Sequence, residues 1–307
     1  MTQSKLIEEI QRLKQEKNAV ILAHYYLEDD VQSIADYIGD SYYLSEIATK
    51  VPQQVIVFCG VSFMGESAKI LNPEKTVLLP DPTADCPMAH MVTAEKILEM
   101  RARYQDDLAV VCYINSTAQL KQYADVCVTS ANAMKIVRNL PQSYIYFIPD
   151  ENLGRFIAKQ VPEKHFIFND GYCPVHVQIT GPLVQKAKAQ HPDALVLAHP
   201  ECTPEVLEQA DYIGSTSGII KQVTESAAQQ FIIATEIGVL YQIRQKCPEK
   251  QCFPVFPEQI CPDMRKVTLE KVAAVLRTFD NQVTLEPELA QKAMLPLQNM
   301  LELARKD

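Results

Sequence analysis

The chain has 307 residues, of which 47% are hydrophobic and 22% charged, and it carries a formal charge of −9 at pH 7. That length suits two or three domains rather than one simple core, and the composition is that of a folded globular protein. The acidic balance excludes a nucleic-acid surface, and no apolar run approaches the roughly 18 residues of a membrane span.

Residues 1–17 read as an amphipathic helix rich in Lys and Glu, not as a signal peptide, so a cytoplasmic protein is expected. Short continuous apolar runs then predict strands near 19–24, 36–39, 54–59 and 76–80, the pattern of a parallel sheet covered on both faces. Helical patterns over 30–36 and 64–71 separate them, and the set ends at Cys86-Pro87. A linking helix over 93–104 leads into a second pass. There Ala109–Tyr113 and Tyr144–Ile148 supply the apolar runs and Cys173-Pro174 closes. A helix over 181–190 opens a third, with Ala194–His199, Gln230–Ala234 and Cys261-Pro262. Helices over 266–279 and 287–305 follow.

The three cysteines lie 87 and 88 residues apart. Aligned on them, the copies share an Ala-Asp pair (Ala35-Asp36, Ala124-Asp125, Ala210-Asp211) and then a hydroxyl at Ser41, Ser130 and Thr216. This period is too long for a solenoid repeat. It predicts an α/β protein of three homologous three-layer αβα domains, with parallel sheets arranged around a pseudo-threefold axis. The expected divisions are 1–88, 89–175 and 176–307, the last carrying the C-terminal helices.

Parallel sheets build sites at the carboxyl ends of their strands. His24, Tyr113 and His199 stand there, and Asp40-Ser41, Thr129-Ser130 and Ser215-Thr216-Ser217 read as helix N-caps beside them. Helix N-termini hold carboxylate or phosphate without needing Arg, which suits an acidic protein. Of the other cysteines, Cys59, Cys112 and Cys127 sit in apolar strand runs and are expected to be buried. Cys202 lies near a strand end, and Cys247 and Cys252 read as unrelated loop thiols. A disulfide framework is not expected in a reducing compartment. Three Cys-Pro steps without a C-x2-C pair do not resemble a structural zinc site. Three thiolates suit either a catalytic zinc with an open position or three corners of a [4Fe–4S] cluster. An open iron is a Lewis acid fitted to a dehydration.

Several motifs together resemble the quinolinate synthase family over nearly the whole chain. They are Ala23-His-Tyr-Tyr26, Gly39-Asp-Ser41, Gly60-Val-Ser-Phe-Met-Gly-Glu-Ser-Ala-Lys-Ile-Leu71, Ala84-Asp-Cys-Pro-Met-Ala89 and Tyr113-Ile-Asn-Ser116. Gly171-Tyr-Cys173, His199-Pro-Glu201, Gly214-Ser-Thr-Ser-Gly218 and Cys261-Pro-Asp-Met264 continue the series. The resemblance implies condensation of iminoaspartate with dihydroxyacetone phosphate to quinolinate, with loss of phosphate and two waters, in NAD biosynthesis. It implies a [4Fe–4S] cluster held by Cys86, Cys173 and Cys261, with one iron open. It also implies catalytic roles for Glu201, Tyr26, Tyr113 and His199. Substrate binding would fall to His24, Ser41, Asn115, Ser130, His199, Glu201, Ser215 and Thr216. An aspartate-oxidising enzyme is the expected metabolic neighbour. Asp263 departs from the Asn usual in the last cysteine motif. Two alternatives stand beside this reading, a metal-dependent lyase acting on a phosphorylated sugar and a non-enzymatic iron–sulfur sensor. A sensor would tolerate replacement of Glu201 or Tyr26, and a synthase would not.

Overall fold

The apolar runs form the inner strands of three separate sheets, because a strand buried on both faces needs no polar alternation. The computed structural model describes residues 2–305. β1 (Ala19–His24), β2 (Tyr37–Gly39), β3 (Val55–Cys59) and β4 (Thr76–Leu78) pair in parallel in the order β2-β1-β3-β4. β5 (Leu108–Tyr113), β6 (Val126–Val128), β7 (Tyr144–Ile148) and β8 (His165–Phe168) repeat that order as β6-β5-β7-β8. β9 (Leu195–Ala198), β10 (Tyr212–Ile213), β11 (Gln230–Ala234) and β12 (Gln251–Pro254) repeat it again. In each sheet the chain reverses its direction of travel between the first and third strands. That reversal leaves a crevice at their carboxyl ends.

The repeated Ala-Asp pair is a structural clasp. The Asp N–H donates to a carbonyl of the first strand, and one carboxylate oxygen accepts from the same residue's N–H. Asp36 does this to Ile21 at 2.9 and 2.8 Å, Asp125 to Val110 at 3.0 and 2.7 Å, and Asp211 to Val196 at 2.8 and 2.7 Å. Each clasp sets the start of the short edge strand that follows.

The cysteine loops are tethered in an equally repetitive way. The backbone N–H just beyond the third strand donates to the carbonyl two residues before the cysteine. These bonds are Ser62 to Ala84 (2.8 Å), Glu151 to Gly171 (2.8 Å) and Ile237 to Gln259 (3.1 Å). After each cysteine a short 3-10 turn follows, at Pro87–His90, His176–Gln178 and Met264–Lys266. Seven residues past each cysteine a Thr (Thr93, Thr180, Thr268) occupies the N-cap of the next helix. Each cysteine therefore lies between two fixed points.

The first two sheets share one continuous apolar core, which also takes in the helices Leu269–Thr278 and Pro287–Arg305. The third sheet keeps its own cores. Val196, Ala198, Ile232 and Ala234 face one side, and Leu197, Phe231 and Ile233 face the other, as the period of two along a strand requires. After the third cysteine the chain returns to the first sheet. Val283 N–H donates to Val77 O at 2.8 Å, Leu79 N–H to Asn281 O at 3.1 Å, and Leu269–Thr278 packs beside Gln3–Glu16. No helix among the described residues is long and apolar enough to cross a membrane. Cys59, Cys112 and Cys127 are fully buried, as expected. Cys247 lies just past the helix Val239–Lys246, in the connecting segment as expected, whereas Cys252 lies in β12 and not in a loop.

Candidate active site

The carboxyl ends of β1, β5 and β9 open onto one cavity, and the threefold repetition becomes a set of concentric positions around it. Cys86, Cys173 and Cys261 line it together. So do His24, Tyr113 and His199, the residues that end or immediately follow the three strands. Two residues further on, Tyr26, Asn115 and Glu201 form another set, and Ser41, Ser130 and Thr216 a fourth. The cavity measures about 110 Å³. Of the sequence-derived candidates, Ser215 alone does not line it. Its hydroxyl caps the helix Thr216–Glu225 by accepting from Gly218 N–H at 3.1 Å.

Local geometry orients two of the imidazoles. Tyr26 N–H donates to His24 Nδ1 at 3.2 Å, and Glu201 N–H donates to His199 Nδ1 at 3.3 Å. With Nδ1 acting as acceptor, each neutral ring carries its proton on Nε2. His199 Nε2 then donates to Ser130 Oγ at 3.1 Å. Burial depresses the pKa of His24 to about 4 and that of His199 to about 3, so both rings are neutral at physiological pH.

The hydroxyls differ in setting. Ser41 and Thr216 are the first residues of their helices, capped by Asp40 (accepting from Tyr43 N–H at 3.0 Å) and by Ser215. Ser130 does not begin a helix. Thr129 and Asn132 form a turn, and the helix starts only at Ala133. Asp40 also accepts from Ser217 Oγ at 2.6 Å, tying the first repeat to the third.

Glu201 is buried, and its Oε2 lies 2.8 Å from His176 Nδ1. Burial pushes its pKa up, but the imidazoles of His176 and His199 and the neighbouring Tyr113 hydroxyl bring it below the usual carboxylate range. Glu201 is therefore ionised, as is Asp85 at another part of the lining. Tyr26 and Tyr113 are driven the other way by burial and by the Glu201 charge, so both stay protonated. Asn115 Oδ1 is buried without a protein partner.

Three residues of weight escaped the sequence reading. His176, three residues after Cys173, is fully buried against Glu201 and also lies 3.1 Å from Cys173 Sγ. Asp150 and Glu236 occupy one shared register beyond β7 and β11, and both are fully buried. Glu236 accepts from Gly238 N–H (2.6 Å), Cys261 N–H (3.2 Å) and Arg265 (2.9 Å), and burial raises its pKa to about 7. Asp150 Oδ1 caps the helix Glu151–Gln160 by accepting from Leu153 N–H at 2.7 Å. The register of the first repeat has Val61 at this position, so a search for threefold identity passes over the pair.

Residues 8–302 match the family model described as quinolinate synthetase A protein. The chain belongs to that family. The quinolinate synthetase A relatives agree across nearly their full length. A quinolinate synthase of Fusobacterium nucleatum is 53% identical over 96% of this chain and 98% of its own. One from Clostridioides difficile is 49% identical over 96% and 97%, and one from Aquifex aeolicus 46% identical over 97% and 94%.

For a quinolinate synthetase A chain, the donor set admits a soft metal centre. Three thiols from three different sheets converge on one cavity, and burial pushes the pKa of each upward, that of Cys261 to about 11. Thiols held in their protonated form this firmly ionise readily only when a cation replaces the proton. Cys173, His176 and Glu201 also offer ligand atoms within 4.8 Å of one another. His176 and Glu201 are already engaged with each other, so the cysteine trio is the better donor set.

Proposed function

We propose that this chain is a quinolinate synthase that condenses iminoaspartate with dihydroxyacetone phosphate, releasing phosphate and two waters. The observation that carries the reading is the convergence of three half-buried cysteines with an ionised carboxylate, two neutral phenols and two Nε2–H imidazoles in one cavity. Cys86, Cys173 and Cys261 would hold a [4Fe–4S] cluster whose fourth iron lacks a protein ligand. When bound, that cluster supplies a Lewis acid for loss of hydroxide.

The protein's own groups divide the remaining work. The helix N-termini at Ser41 and Thr216, with Ser130, favour the carboxylates and phosphate of the two substrates. His24 presents an N–H donor to the same anions while staying uncharged, neutral His199 orients the Ser130 hydroxyl beside them, and Asn115 offers an unpaired buried oxygen to a substrate donor. Glu201 accepts the proton removed from carbon in each dehydration, and Tyr26 and Tyr113 donate to the oxygen or nitrogen that leaves or rearranges. The product is an aromatic dicarboxylate, and the overall change places the enzyme among transferases. Its imine substrate is short-lived in water, so an aspartate-oxidising enzyme must supply it nearby, in the cytoplasm.

The decisive experiment is anaerobic purification with iron and sulfide analysis, then assay with both substrates beside Cys173→Ala. The expected result is about four irons per chain and quinolinate from the wild type only. A metal-free or zinc-loaded protein that still made quinolinate would overturn the mechanism. A full cluster without product would return the protein to the lyase or sensor readings.

A further inference from the structure

The cavity is lined by the carboxyl side chains of Asp40, Asp85, Glu201, Glu236 and Asp263, and by no Lys or Arg. The cations beside the third cysteine loop are already paired. Arg265 reaches Glu28 at 3.0 Å and Glu236 at 2.9 Å, and Lys266 reaches Asp263 at 2.7 Å. Lys121 is different. It ends the short helix Ala118–Lys121, is fully buried, and donates from Nζ to Ser116 O, the carbonyl next to the lining residue Asn115. Its Nζ also lies 5.3 Å from the ring centre of Phe63, another lining residue. Among the described residues none of its hydrogen bonds reaches a carboxylate, although the thiols of Cys112 and Cys127 feel its charge.

The repeats show what this register does without a charge. Gln32, eight residues past His24, is fully buried and donates from Nε2 to Leu27 O at 2.9 Å, three residues past His24. Lys121, eight residues past Tyr113, makes the matching bond to Ser116 O, three residues past Tyr113. Leu207 stands eight residues past His199 and has no donor at all. Tying the strand-end loop therefore needs an amide or less. The ammonium adds what the tie does not require, a positive charge. Such a charge is costly to bury without an opposite one, and here the protein supplies no carboxylate.

We infer that Lys121 is a specificity-determining residue: its ammonium, held behind the wall made by Phe63 and Asn115, is the counter-charge for an anion in the cavity and favours ligands of higher negative charge. That the anion is a pyridine dicarboxylate rests on the proposed function, but the buried counter-charge does not.

The test compares iron-loaded, full-length Lys121→Gln with wild type. Glutamine is the first repeat's own residue at this register, so the tie to Ser116 O is kept while the charge is lost. Calorimetry measures binding of quinolinate, of pyridine-2-carboxylate, which has one carboxylate fewer, and of inorganic phosphate, beside an assay for quinolinate formation. Coulomb energy is proportional to the ligand's charge, so a loss of about tenfold for the dianion goes with about threefold for the monoanion. Those losses are the expected result. A loosened loop would instead weaken both pyridine acids alike. Equal losses for the two, or unchanged quinolinate affinity, would overturn the inference, as would a wild type that binds none of the three anions. Should Lys121→Gln fail to fold, Lys121→Met, which keeps the length of the side chain without its charge, carries the same expectations. A wild type that makes no quinolinate but binds phosphate at least about threefold more tightly than the variant would remove the functional reading and leave the counter-charge supported.

Discussion

At the scale of single residues, the cavity is a collection of groups held in defined protonation states by their immediate neighbours. His24 illustrates the cost. In the folded protein its pKa is about 4, against 6.5 for an exposed imidazole, because burial disfavours the cation. The unfolded chain therefore binds a proton between pH 6.5 and 4 that the folded chain refuses, so stability falls as pH drops through that window. Between pH 7 and pH 5 the loss from this one ring is on the order of 2 kcal/mol. Urea midpoints measured at both pH values should fall less for His24→Gln than for wild type. An identical fall in both would mean that the ring is not buried neutral. Glu201 and Tyr113 show the complementary case, one charge stabilised by a donor that is itself prevented from ionising.

Among the elements, the cysteine loops are the parts that turn repetition into a site. Each is pinned by a backbone hydrogen bond two residues before the cysteine and by a helix whose N-cap position, seven residues after it, holds a Thr; the hydroxyl makes the capping bond at Thr93 and Thr268. Gly171 lies at the first pin of the second loop, where an added Cβ would sit 2.4 Å from Pro149 O, a backbone atom that cannot turn aside. Gly171→Ala should therefore displace Cys173 without removing any cysteine from the chain. Iron per chain and activity should fall together, with a stability loss of roughly 1–3 kcal/mol from overpacking. Thr268→Ala supplies the contrast. It removes a cap accepting from Lys271 N–H and should cost about 1 kcal/mol while leaving iron content unchanged. Normal iron binding in Gly171→Ala would show that the loop absorbs the extra methyl.

Across the whole molecule, the chain closes on itself. The segment after the third cysteine pairs with β4, and the last helix seals the first two repeats with Ala293, Leu297, Met300 and Leu301. Full burial of a Leu or Met side chain contributes about 1.5–3 kcal/mol. The last three residues together thus rival the roughly 5–15 kcal/mol that holds an ordinary domain folded. A chain ending at Glu286 should lose cooperative thermal unfolding by circular dichroism, even though every cavity-lining residue is retained. A truncated chain that melts as sharply as wild type would mean that the terminal helix is an accessory.

The linear sequence by itself determined what is periodic. Strands, linking helices and the registers of Cys86, Cys173, Cys261, His24, Tyr113 and His199 recur at intervals of 86 to 89 residues, because three copies of one fold demand the same kinds of residue in the same order. Tertiary structure alone decided what breaks the period. His176, Asp150 and Glu236 have no threefold counterparts in kind, and His176 and Glu236 acquire their meaning from a partner in another loop or another repeat. Ser215 and Ser130 likewise look alike as hydroxyls before helices, yet one caps its helix and the other lies in a turn. A periodic pattern is written in neighbours along the chain. A hydrogen bond such as that from Ser217 to Asp40 joins residues 177 positions apart, and only packing brings them together.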